Sequence, residues 1–335
     1  MSLFALRRRE LLKGAVLGGG AALCLPGWAQ AVSTGLPTLS GQSIDLTIAP
    51  GNVAMGGRMA RAVSVNGTVP GPLLRLQQGQ RVRLTVDNRL DEDSSIHWHG
   101  LLLPFQMDGV PGVSFPGIKP RTRFTYEFDV IQAGTYWYHS HSGLQEMRGL
   151  YGPIVIDPIF PDPQPSTREH VGLLSDHSHV DPAQILRKLK ADPGYYNHQR
   201  QTLAGLAAGL DQSVADRLAW GKMRMDPTDV ADVTGAVLTY LVNGHDPRAN
   251  WTALFTPGER VRLRFINAAA MTVFNMRIPG LEMLVVAADG QDVQGVAIAE
   301  FQFSPGETYD VIVTPVEDRA FAIVGETVDN SGMAL

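Results

Sequence analysis

Short runs of apolar or alternating residues recur along the chain, each bounded by Gly, Pro or Asn turn signals. Runs of this length and period predict β-strands, because successive strand side chains point to opposite faces. The first seven predicted strands are Ile44–Ala49, Ala62–Val65, Leu73–Leu76, Val82–Asn88, Phe124–Val130, Thr135–His139 and Pro153–Ile156. So many short strands in one stretch are typical of an antiparallel sandwich or a Greek-key barrel.

A second series of strand patterns follows a proline-rich linker at residues 159–168. Its members are His170–Leu174, Val237–Val242, Val261–Asn267, Val273–Ile278, Leu284–Ala288 and Val311–Val313. Residues 182–222 interrupt the series and are rich in Ala, Leu, Gln, Lys and Arg, which favours a helical insertion.

Two segments of the first half recur in the same order in the second half. Gln77–Leu84 is similar to Thr256–Leu263, and Val65–Gly67 matches Val242–Gly244. Repetition of this kind indicates a duplicated unit. We therefore predict an all-β fold of two tandem β-sandwich or barrel domains, at residues 42–158 and 169–320.

The N-terminus has the order of a bacterial export signal. A basic segment, Arg7–Lys13, precedes the apolar run Gly14–Leu25, and Ala29–Ala31 fits a cleavage site. The apolar run is too short to cross a membrane, so no stable membrane anchor is expected. Arg8 and Arg9 resemble a twin-arginine signal, with a plain secretory signal as the alternative. We predict cleavage near Ala31 and delivery to the periplasm by the twin-arginine export machinery.

Composition and charge narrow the chemistry. Hydrophobic residues make up 44% of the chain, enough for a sizeable core and too many for a disordered protein. Lys and Arg total 28 against 33 Asp and Glu, so no basic excess favours a nucleic-acid partner. The one cysteine, Cys24, lies in the predicted signal, which leaves residues 32–335 without a disulfide or a thiolate ligand.

Two His-x-His motifs provide the candidate site, at His97 and His99 and at His139 and His141. In a strand, residues i and i+2 share a face, so each pair presents two imidazoles to the same side. Imidazole suits copper, zinc, iron or nickel, whereas the missing thiolates and scarce carboxylates disfavour structural zinc, calcium and magnesium. The spacing thus predicts a metal site of these four histidines, with surface or core histidines as the alternative.

The residues around both motifs make the prediction more specific. Ile96–Pro116 begins Ile-His-Trp-His-Gly and contains Met-Asp-Gly-Val-Pro-Gly, and Gly134–Gln145 reads Gly-Thr-Tyr-Trp-Tyr-His-Ser-His-Ser-Gly-Leu-Gln. These segments resemble the multicopper oxidases, which are built from cupredoxin domains, and above all their periplasmic copper-resistance group. The likeness extends over about residues 40–330.

The resemblance implies a role for each histidine. It implies that His97 binds a mononuclear (type 2) copper and that His99, His139 and His141 bind a binuclear (type 3) pair. Asp108 matches an acidic residue that would relay protons to reduced oxygen, with a simple Asp-Gly turn as the alternative. In such oxidases Cu(I) or phenolic donors give electrons to copper, and O₂ is reduced to water.

The sequence also departs from this family. Its other copper motifs, a His-Pro-x-His-x-His run and a His-Cys-His run, are missing from the 335 residues. We therefore expect a chain truncated before a third domain, with residues 321–335 as the start of a linker. O₂ and an electron donor would be partners only if that domain completed the site. The alternative is a non-catalytic periplasmic protein that binds or sequesters copper; an unrelated cupin-like enzyme fits the motifs less well.

Other sulfur and imidazole groups are weaker candidates for copper ligands. His177 and His179 form a third His-x-His motif, which we assign to a surface loop, with adventitious copper binding as the alternative. The candidate Cu(I) ligands among the methionines are Met55, Met59, Met107, Met147, Met223 and Met225. Methionine more often fills gaps in a core.

Overall fold

The computed structural model describes residues 35–55, 57–197, 202–209, 212–223, 231 and 233–334. The predicted export signal, residues 1–31, lies outside the described residues. Within them, no helix has both the length and the apolar character needed to cross a membrane.

The first half of the chain forms two facing sheets, here called the N-terminal sandwich. Its strands are β1 (Thr38–Ser40), β2 (Ser43–Met55), β3 (Arg58–Val65), β4 (Leu73–Gln77), β5 (Arg81–Asn88), β6 (His97–His99), β7 (Arg123–Asp129), β8 (Gly134–His139) and β9 (Tyr151–Asp157). One sheet has the order β1-β4-β9-β8-β6 and the other β3-β2-β5-β7. Every second side chain of these strands points into the space between the two sheets. Examples are the fully buried Leu46, Ile48, Leu84 and Val86.

The second half forms the C-terminal sandwich, together with the helical insertion. Its strands are β10 (Arg168–His177), β11 (Thr239–Val242), β12 (Val261–Asn267), β13 (Phe274–Arg277), β14 (Met283–Ala288), β15 (Gln291–Ile298), β16 (Glu300–Phe303), β17 (Thr308–Val313), β18 (Val324–Thr327) and β19 (Met333–Ala334). The sheets have the orders β11-β10-β12-β17-β14-β15 and β16-β13-β18-β19. The helices are α1 (Pro182–Ala191), α2 (Leu203–Ala207) and α3 (Val214–Lys222). The predicted all-β architecture with an inserted helical segment is confirmed.

The two sandwiches repeat one another down to single side chains. Asn66 and Asn243 both adopt positive φ, 52° and 51°, at the turns that follow β3 and β11, the second strands of the equivalent pairs β2–β3 and β10–β11. Each Asn side chain reaches back to the first strand of its pair. Asn66 Oδ1 accepts from the Thr47 N–H at 2.6 Å, and Asn243 Oδ1 accepts from the Leu173 N–H at 2.8 Å. Asparagine suits this left-handed position because its short amide also replaces a backbone partner.

Strand β8 is the main contact between the sandwiches near the histidines. The Thr308 hydroxyl donates to the Thr135 carbonyl at 3.0 Å, and the Thr135 hydroxyl donates to the Asp310 carboxylate at 2.6 Å. The Tyr136 hydroxyl donates to the Gly290 carbonyl at 3.3 Å. The C-terminal sandwich therefore holds the strand that ends in His139.

Candidate metal centre

The pairing of two short strands brings both His-x-His motifs together. Strand β6 runs antiparallel to β8, with His97 directly opposite His139 and His99 opposite Trp137. Trp98, between the two histidines of β6, points the other way and is fully buried in the core of the N-terminal sandwich. The central tryptophan thus fixes which face the flanking imidazoles occupy.

The four imidazoles form one cluster. The ring centroid of His97 lies 5.6 Å from that of His99, 5.5 Å from that of His139 and 4.8 Å from that of His141. His139 lies 4.9 Å from His141. Ligand nitrogens of His97, His99 and His139 all lie within 4.8 Å of one another. The structure therefore brings together every histidine that the two motifs singled out.

The surroundings lower the pKa of three of the four imidazoles. Burial, together with the neighbouring His139, His97 and His141, lowers the pKa of His99 to about 4. Burial is also the main cause that lowers the pKa of His97 and of His141. A neutral imidazole has a free lone pair, so His97, His99 and His141 can accept a metal ion at neutral pH without first losing protons.

Asp108 lies against His97. A 3₁₀ turn at Phe105–Met107 delivers Asp108 to the cluster, where its carbonyl oxygen lies 2.7 Å from His97 Nδ1. A carbonyl can only accept, so Nδ1 carries the proton and Nε2 keeps the lone pair for a metal. The Asp108 carboxylate lies 3.5 Å from the same nitrogen and is partly exposed to solvent.

The indole ring of Trp137 stacks on two of the imidazoles. It stacks on His139 at a centroid distance of 4.1 Å and on His99 at 4.9 Å. The indole N–H donates to the carbonyl of Gly306 in the C-terminal sandwich at 3.3 Å. A side chain at position 306 would meet the His99 ring, since a Cβ there would lie 3.3 Å from His99 Cε1. The C-terminal sandwich thus shapes the cluster without providing one of these histidines.

The donor set fits copper. Four imidazoles converge, and His99 Nδ1 faces His139 Nε2 at 3.3 Å. Nitrogen donors of this kind suit copper, whereas the nearby carboxylates of Asp108 and Glu146 contact imidazole nitrogens and form no oxygen cage for a hard cation.

The assignment of His177 to a surface loop is wrong. Strand β10 runs on past the predicted end at Leu174, and His177 pairs with Thr239 of β11. The His177 side chain is only 1% exposed, and burial lowers its pKa to about 4. His179 is exposed, and the structure brings neither histidine into the four-histidine cluster.

The methionine hypothesis gains no support from the described residues. Met107 and Met147 pack against the two cores, as gap-filling methionines do. Met59 and Met223 are exposed, and Met225 lies outside the part of the chain that the structure describes.

Comparison with known protein families decides the relationship. Two family models described as multicopper oxidase match this chain, one at residues 47–159 and the other at residues 212–333. The chain belongs to the multicopper oxidase family. Copper is the metal that this family uses, which agrees with the chemistry of the four-histidine cluster.

Relatives and solved structures point the same way. The chain is 48% identical to a copper resistance protein A homolog of Pseudomonas syringae pv. tomato and 49% identical to copper resistance protein A of Escherichia coli. Each match includes 98% of this chain but only 57% and 55% of the relative, so this multicopper oxidase chain spans little more than half the length of those proteins.

The fold is shared with solved oxidases. The blue copper oxidase of Nitrosomonas europaea superimposes with a TM-score of 0.64 at 26% identity, over 84% of this chain and 78% of that one. A laccase from Botrytis aclada gives a TM-score of 0.65 at 25% identity, over 90% of this chain and 53% of that one. Cupredoxin domains, the expected building blocks, are thereby confirmed.

Sequence reasoning missed two residues beside the cluster. Glu146 places a carboxylate oxygen 3.3 Å from His139 Nδ1, and Gly306 faces His99. Neither lies inside a His-x-His motif. Glu146 is five residues after His141, and Gly306 is in the other sandwich, so only the folded chain shows their proximity.

Proposed function

We propose that this chain is the copper-binding N-terminal part of an exported, copper-resistance-type multicopper oxidase. In this proposal His97 holds a type 2 copper, and His99, His139 and His141 hold a type 3 pair. The observation that carries it is the convergence of four imidazoles from β6, β8 and the residues just after β8. Similarity to copper resistance protein A over 98% of the chain supports the same conclusion.

When bound, the copper cluster would supply electron transfer, so that Cu(I) or a phenolic donor is oxidised and O₂ is reduced to water. The chain's own residues orient the ligands and handle protons. His97 donates from Nδ1 to the Asp108 carbonyl and so presents Nε2 to the metal. We propose that the Asp108 carboxylate exchanges protons between solvent and the cluster, because it is 33% exposed and lies 3.5 Å from His97.

The other half of the ligand set would come from polypeptide outside these 335 residues. Residues 32–335 contain no cysteine, so they cannot form the thiolate-containing type 1 centre through which electrons enter. The loop that carries Asp108 also exposes large apolar side chains, since Leu102, Phe105 and Val113 are each more than 60% exposed. Exposed apolar side chains beside a half-complete site suit contact with a further domain.

Oxygen consumption tests the proposal. We expect the copper-loaded chain alone to show no intense blue colour and no turnover of Cu(I) or a phenol in an oxygen electrode. Adding the separately expressed third domain of a close relative should produce turnover, because it completes the ligand set. Turnover to water by the lone chain would contradict this division of ligands.

A non-catalytic copper-binding or copper-sequestering protein is the second candidate. The absence of cysteine after Cys24 favours it, since the four-histidine cluster can bind copper without any electron-entry site. Copper binding without turnover, even when a third domain is supplied, would favour this function over the oxidase.

Export to the periplasm is part of the proposal and rests on the sequence of residues 1–31. A twin-arginine route delivers proteins already folded, which would allow copper to be loaded before or after export. We expect protein recovered from the periplasm to begin near Val32 by N-terminal sequencing. A recovered chain that still carries Arg8 and Arg9 would contradict cleavage at Ala31.

A further inference from the structure

His139 is the most buried histidine of the cluster, and one of its nitrogens lacks a hydrogen bond. The residue is 6% exposed, and its Nδ1 atom has no hydrogen-bond partner among the described residues. The nearest charged acceptor is Glu146, whose Oε2 lies 3.3 Å from Nδ1 but is not aligned for a hydrogen bond. A buried ring nitrogen without a partner is costly, so small movements that align this pair are favoured.

The loop that carries Glu146 is fixed by the residue before it. The Gln145 side chain is 2% exposed; its oxygen accepts from the Ser94 hydroxyl at 2.8 Å and from the Ser140 hydroxyl at 3.0 Å. Its amide nitrogen donates to the Asp93 carbonyl at 2.8 Å. Gln145 therefore ties the loop after β8 to the segment that leads into β6, and Glu146 is held beside His139.

Glu146 lies behind the His139 ring and not inside the cluster. The two nitrogens of an imidazole point in different directions, and His139 Nε2 is the one that faces His99. The carboxylate contacts the opposite nitrogen, Nδ1. Trp137 meanwhile covers the face of the same ring. Glu146 is thus placed to act on the ligand, whereas direct binding to a metal in the cluster would need the carboxylate on the other side.

We propose that Glu146 is a positioning residue that sets the tautomer and orientation of His139 for copper; this rests on the proposed function. Once the pair is aligned, the carboxylate accepts a hydrogen bond from Nδ1–H, which keeps the proton on Nδ1 and leaves the Nε2 lone pair directed at the cluster. His97 and the Asp108 carbonyl form the matching arrangement on β6, at 2.7 Å. Partners of this kind fix metal-binding histidines, and their loss typically weakens metal binding about 10- to 100-fold.

The test compares Glu146→Ala and Glu146→Gln with Glu92→Gln in the full chain. Glu92 is a matched control because its carboxylate contacts Gln145 and Arg148 of the same loop. The first measurement is the tautomer of His139 in metal-free protein, read from long-range ¹H–¹⁵N spectra of ¹⁵N-histidine-labelled chain, with His139→Ala to assign the signal. The second is the Cu(II) affinity of the tightest site, by competition with a chelator.

We expect His139 to carry its proton on Nδ1 in the unmodified chain and to become a tautomer mixture in Glu146→Ala. Copper affinity should fall about 10- to 100-fold, with a smaller loss in Glu146→Gln, whose amide oxygen can still accept. Glu92→Gln should leave both readouts unchanged. The proposal is overturned if Glu146→Ala retains the tautomer, or if Glu92→Gln weakens copper binding equally.

The tautomer measurement needs no copper and therefore stands apart from the proposed function. If copper binds elsewhere, the tautomer still reports whether Glu146 governs His139. If the tautomer changes while the copper affinity stays the same, Glu146 positions the ring but the ring is not a copper ligand, which overturns the copper part of the proposal.

Discussion

Replacing His97 and His139 together by alanine is expected to remove the tightest Cu(II) site of the chain. The two residues lie opposite one another in the β6–β8 pairing, and His97 lies within 5.6 Å, centroid to centroid, of each of the other three imidazoles. The double variant leaves only His99 and His141 of the four imidazoles. We expect Cu(II) affinity to fall by more than about 100-fold, because losing a ligand costs more than losing the partner of a ligand.

The matched control removes two histidines that lie elsewhere. His170 contacts the Leu254 carbonyl, and His179 is exposed, so His170→Ala/His179→Ala changes the histidine count without touching the cluster. A competition titration of both double variants, with circular dichroism to verify folding, gives the comparison. Equal affinities in the two variants would move the copper site away from β6 and β8.

Much of this site can be predicted from sequence because its chemistry is local. The i, i+2 spacing of each His-x-His motif already places two imidazoles on one strand face. The duplication could also be found, since Asn66 and Asn243 stand at the same left-handed turn position in each repeat. Where backbone geometry or metal binding requires a particular residue type, that requirement can be recognised in the sequence.

Features that depend on strand pairing left no such pattern. Nothing in the sequence gives the register that sets His97 against His139. Strand β15 was not predicted because most of its residues are exposed, so alternation is missing there. The buried position of His177 depends on its pairing with β11, about sixty residues away in sequence, and Glu146 becomes relevant only once Gln145 has fixed its loop.

Sequence reasoning also missed a buried ion-pair network of the C-terminal sandwich that contacts the N-terminal sandwich through Thr135 and Arg75. Asp310 on β17 is 2% exposed and accepts from Arg262 at 3.0 Å and from Arg264 at 2.6 Å. The same carboxylate accepts from the Thr135 hydroxyl on β8 at 2.6 Å. Arg264 also forms an ion pair with Glu169, and Glu169 forms another with Arg75 of the N-terminal sandwich.

Asp310→Ala is therefore expected to destabilise the chain strongly. The substitution leaves two guanidinium groups buried with part of their compensating charge removed, and breaking a buried ion pair from one side costs about 3–5 kcal/mol of unfolding free energy. Glu127→Ala is the matched control, because its partner Arg81 lies on an exposed strand face where water and salt screen the pair. Denaturant unfolding at low and high salt measures both variants.

The outcome bears on the copper site as well as on stability. Thr135 lies four residues before His139 on β8, so loss of the Asp310 carboxylate frees the start of the strand that ends in a ligand. Cu(II) affinity should fall in Asp310→Ala under conditions where the chain remains folded, and should hold in Glu127→Ala. An Asp310→Ala chain as stable as Glu127→Ala would mean that the arginines find other partners. Unchanged copper binding in a destabilised Asp310→Ala chain would mean that β6 and the Trp137 contact to Gly306 hold the cluster without the hydrogen bond between Asp310 and Thr135.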